Sequence, residues 1–109
     1  MAIDWNKVGL DALNAAKAVV GAQWKNIAAP AAAQIGALIS VGKHIESECE
    51  AGKLTQDEFA TLKSMQKNAL EGIIAAHQGI SIVVAEQAAA AAVNVVVTAL
   101  SGMAGFAFV

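Results

Sequence analysis

The sequence predicts an all-α protein: a long antiparallel helical hairpin, its first arm broken or kinked at Pro30 to give three helices, which associates into oligomers. Three observations carry that expectation. Apolar residues make up 57% of the 109-residue chain, and the excess is mostly alanine, the strongest helix former. There is one proline and almost no clustered turn chemistry, which argues against an all-β chain. The stretch Gly52 to Phe59 reads as a helix end, a tight turn and a new helix start. A compact three- or four-helix bundle is the alternative architecture.

A first helix is expected over about 4–28. Asp4 is a candidate N-cap, and polar residues recur at Asp4, Lys7, Asp11, Asn14 and Lys17. Trp5, Val8, Ala12, Ala15 and Val19 fall on the opposite side, as an amphipathic helix requires. Pro30 lacks an N–H and biases Ala29 away from helical angles, so the second helix is expected over about 31–51. Its apolar stripe is Ile35, Leu38, Gly42, Ile45 and Cys49, with Glu46, Glu48 and Glu50 turning the far side acidic.

The turn at 52–55 is the clearest local signal. Gly52 suits the left-handed position that ends a helix, Thr55 with Glu58 makes a capping box, and Leu54 with Phe59 has hydrophobic-staple spacing. A long last helix is then expected over about 56–104, with Phe59, Leu62, Ala69, Ile73, Ala76, Ile80 and Val83 on its apolar side. The two arms would each be about 72–74 Å long at 1.5 Å per residue. In that register Glu86 lies between Lys17 and Lys25. Residues 1–109 thus form a single helical domain, too short for a second core.

After Glu71 the only formally charged side chain is Glu86. An end so apolar must be buried in its own fold, in copies of itself or in lipid. Gln87 to Val109 is long enough for a bilayer, which takes about 20 residues. Asn94, Thr98, Ser101, Gly102 and Gly105 oppose insertion, no lysine flanks the run, and neither Trp nor Tyr stands at its edges. Burial against protein helices meets none of those objections. Ala88, Ala92, Val95, Val96, Leu100, Phe106 and Phe108 are therefore the candidate assembly interface, and the ending Phe106 to Val109 suggests a docked C-terminus.

The same asymmetry makes Glu86 the sharpest single residue. A lone carboxylate in an apolar stretch is costly unless paired, so Glu86 with Lys17 or Lys25 is the candidate buried ion pair. In a membrane assembly it would instead bind an ion or proton. His44, Glu48 and Cys49 are possible metal donors within two turns, but a tetrahedral site needs further ligands, so no metal is assigned. His77, beside Gln78, reads as an amphipathic residue hydrogen-bonded to a neighbour.

No nucleophile has a histidine and an orienting carboxylate at recognisable spacing, and Gly72, Gly79, Gly102 and Gly105 do not form a phosphate loop. No enzyme activity, cofactor or small-molecule substrate is expected. Net charge is −2 with seven lysines and no arginine, and there is no aromatic stacking platform, so nucleic acid is not an expected partner. A single cysteine forbids an intrachain disulfide, and Met1 to Lys7 lacks a signal-peptide pattern. A cytoplasmic or signal-independent location follows, with membrane association open. The outline is similar to the small secreted hairpins of type VII export systems, which carry a Trp-x-Gly turn. Here the turn is Gly52-Lys53-Leu54-Thr55 and both Trp5 and Trp24 lie in the first helical segment, so the chain is not assigned to that family.

The expected function is a non-enzymatic, self-assembling structural or interaction protein whose apolar C-terminal helix forms a subunit core or interface, its partner being itself. The alternative is a membrane-inserting protein, tail-anchored, holin-like or pore-forming, with lipid as its partner.

Overall fold

The computed structural model describes residues 3–102, and the fold is all-α. Helices α1 (Trp5–Val20), α2 (Trp24–Glu50), α3 (Gln56–Ala75) and α4 (Ile82–Leu100) alternate in direction. A 3₁₀ turn, Gly21–Gln23, joins α1 to α2. Cross-contacts fix the register: Gly9 meets Ile39 and Trp5 meets Gly42 between α1 and α2. Gln34 bonds Gln66 at 3.4 Å between α2 and α3, and Lys67 approaches Glu86 between α3 and α4. The bundle measures 43 × 25 × 18 Å, far short of a hairpin with arms of about 70 Å. The compact four-helix alternative is the architecture adopted.

Two breaks differ from expectation. The first arm bends at Gly21, not at Pro30. Gly21 takes φ +71°, a conformation that L side chains rarely adopt, and its N–H still closes on the Lys17 carbonyl. Pro30 lies inside α2 on an exposed face. The carbonyl it deprives of a helical donor belongs to Asn26, which is exposed to solvent.

The expected helix over 56–104 is two helices, parted at 76–81. α3 ends at Ala76, and the chain turns through His77 and Gly79. Ser81 then caps α4, its Oγ accepting from the Val84 N–H at 3.1 Å. The turn packs on the first corner: His77 Nε2 lies 3.2 Å from Gln23 Oε1, and a Cβ on Gly79 would sit 3.1 Å from the Gln23 side chain.

The expected junction between α2 and α3 is present. Gly52 has φ +71°, Lys53 N–H reaches back to the Glu48 carbonyl at 2.9 Å, and Thr55 Oγ1 accepts from Glu58 N–H at 3.0 Å. The Glu58 carboxylate approaches His44 Nε2 at 3.8 Å.

α4 packs against all three other helices, most extensively α1. Where those two meet, Ala12, Ala16, Ala85, Ala88, Ala89 and Ala92 are fully buried. Short side chains let the axes approach closely, so dispersion contacts accumulate along the whole seam. Elsewhere the core is bulkier: Phe59, Leu70, Ile74 and Leu100 are its largest fully buried side chains. α3 therefore turns Phe59, Leu70 and Ile74 inward, and Ala69 and Ala76 of the expected stripe are exposed.

Candidate interaction surfaces

Within the single chain, Glu86 is not the buried partner of Lys17 or Lys25. Splitting the last helix at 76–81 lays α4 back along α3, so Glu86 Oε1 faces Lys67 Nζ at 3.9 Å, its side chain 58% exposed. A pair in that much water contributes at most about 1 kcal/mol. Lys17 and Lys25 are exposed and enter no ion pair among the described residues.

The proposed interface residues divide three ways. Ala88, Ala92, Val96 and Leu100 are enclosed within the single chain, where they are core. Val95 is half-buried and lines an open groove. Phe106 and Phe108 lie outside the described residues.

That groove, about 1140 Å³, runs between the start of α1, the end of α2 and the last three turns of α4. Its apolar lining includes Ile3, Val8, Ala91, Val95 and Ala99, and its polar lining includes Asp4, Asp11, Glu46, Glu50, Asn94 and Thr98. One lysine is present, Lys7, and it is bound to Asp11 at 3.2 Å. Glu46 accepts from Trp5 Nε1 at 3.0 Å and from the Ile3 N–H at 3.4 Å. Asp4 Oδ1 caps α1 by accepting from Lys7 N–H. The bonds to Asp4 and Glu46 come from neutral donors, and Asp4, Glu46 and Glu50 have no side-chain cation as ion-pair partner among the described residues.

Among family models, curated proteins and solved structures, nothing matches this chain.

The chemistry must therefore be read from the surface itself. His44, Glu48 and Cys49 do not converge: His44 turns to Glu58, and no group of three His, Cys, Asp or Glu is placed to hold a metal among the described residues. His77 faces Gln23 across the turn.

Apolar exposure is concentrated at a few positions. Ile82 and Val83 open α4 at 70% and 62% exposure, while Leu10 and Met65 stand out from α1 and α3. The groove is not legible in the sequence because it joins residues far apart in the chain, and the Ile82–Val83 tip exists only because the chain breaks at 76–81. The signal for the tip was Ser81, a capping residue immediately before Ile82.

Proposed function

We propose that the chain is a non-enzymatic structural or interaction protein that self-associates, with α4 as the core of each subunit. The observation that carries this reading is the double use of α4. One side supplies the enclosed alanine seam, while Ile82 and Val83 remain bare and Ala91, Val95 and Ala99 line a groove. No polar or charged residue is buried among those described, so the core asks for no buried partner and the surplus apolar surface is external. External apolar surface on a small bundle is removed from water by association. Light scattering coupled to size exclusion without detergent tests the proposal. A defined oligomer or regular polymer is expected, and a monomer at every concentration would count decisively against it.

A second reading has its own observation. Ile82–Leu100 is long and apolar enough to cross a membrane, though a core helix passes the same test. Release of α4 from the bundle would expose a segment of about 28 Å to lipid. Leakage of dye from liposomes on addition of protein supports insertion; sealed liposomes and a monodisperse detergent-free protein oppose it.

A further inference from the structure

We propose that copies of this chain associate end to end, the Ile82–Val83 tip of one seated in the acidic groove of the next; this rests on the self-association reading above. The two ends of the bundle differ in charge. The half that holds the groove carries seven of the nine carboxylates and four of the seven lysines, a side-chain charge of −3. The other half carries Lys17, Lys25 and Lys67 against Glu71 and Glu86, a charge of +1, and together they give the −2 of the whole chain.

The unneutralised charges lie where a contact would use them. Asp4, Glu46 and Glu50 line the groove without a side-chain cation. At the far end Lys17 closes α1 and Lys25 opens α2, both exposed and both without a carboxylate partner among the described residues. The bonds of Gln23 to the 76–81 turn bring Ile82 and Val83 to that same end. An apolar tip thus faces outward at the end that carries two unpaired lysines, and an apolar groove edged with carboxylates opens at the other.

A second copy is the occupant because both complementary surfaces belong to one chain. Groove-on-groove pairing is disfavoured, since it would oppose two sets of unpaired carboxylates. The contact is therefore head to tail, and such a contact propagates into a filament or closes into a ring.

The test uses two full-length variants, each disabled at one end. Lys17→Glu with Lys25→Glu reverses the tip, and Glu50→Lys cuts the charge lining the groove from −3 to −1; all three positions are exposed, and circular dichroism checks that the helices persist. Each variant alone is expected to run as a monomer in light scattering where the wild type associates. Mixed, they are expected to form a 1:1 complex that grows no further, because one intact groove meets one intact tip. Added salt is expected to shift wild type toward monomer.

Wild type that associates while both variants keep its mass overturns the end-to-end contact and leaves self-association standing. Wild type that is monomeric throughout overturns both. Monomeric wild type that binds phosphatidylglycerol vesicles, and loses that binding on Lys17→Glu with Lys25→Glu, overturns the proposal by assigning the basic tip to a lipid surface.

Discussion

Gly42 is buried under the Trp5 ring, and a Cβ there would lie 2.6 Å from two ring carbons and 3.2 Å from Val96. Trp5 cannot simply swing away, because its Nε1 bonds Glu46. Gly42→Ala therefore trades a helix-propensity gain of about 1 kcal/mol against overpacking, which typically costs about 1–3 kcal/mol. The expected balance is a net loss, read as a lower thermal midpoint with a red-shifted tryptophan emission. A stabilised Gly42→Ala protein with unchanged emission would remove the close approach. The stripe containing Gly42 was legible from spacing, as were buried Ile35, Leu38 and Ile45. Its reason for being glycine was not, because Trp5 meets it only when α1 folds back. Glu86 failed for a related cause: its partner depends on where the last helix breaks, and that break was missed.

At the scale of the helix, the two corners obeyed different signals. The α2–α3 junction could be read directly because Gly52 and Thr55 act locally, each bonding within a few residues. The α1–α2 corner could not. Pro30 is the louder breaker in sequence, yet a proline on a hydrated helix face loses one hydrogen bond, whereas the turn at Gly21 allows α2 to pack Trp24 and Ile27 into the core. The two residues should accordingly respond in opposite directions. Pro30→Ala restores a donor to the Asn26 carbonyl and is expected to raise stability by about 1–3 kcal/mol. Gly21→Ala forces a side chain into positive φ and is expected to lower it by about 1 kcal/mol or more. Urea denaturation of both variants reads the signs, and a destabilised Pro30→Ala would mean that the proline ring contributes more than the hydrogen bond it removes.

For the molecule as a whole, composition foretold an all-α chain, while the choice between long hairpin and compact bundle turned on interhelical contacts that no single segment encodes. Burying an alanine seam between α1 and α4 makes the apolar last helix a core element of the monomer. Deleting Ala88 to Val109 would thus remove the core together with any interface and could not separate folding from assembly. Concentration separates them. If copies bind one another only when folded, mass action raises the midpoint of thermal unfolding with protein concentration. A shift of several degrees is expected across a hundredfold dilution series, and an invariant midpoint argues for an isolated subunit.

The alanine seam also sets an unusual pattern of tolerance to mutation. In most cores the damaging changes are those that remove atoms, and each lost methylene costs about 1 kcal/mol. Ala12, Ala16, Ala85, Ala88, Ala89 and Ala92 are fully buried and each has only one methyl to lose. Exchange for leucine or phenylalanine there pries apart two helices whose contact depends on their nearness, so the costly direction is growth. A lineage of this protein would therefore drift freely through serine and glycine at those six positions only to the extent that helix propensity allows, and would be closed to every larger side chain unless both helices changed together.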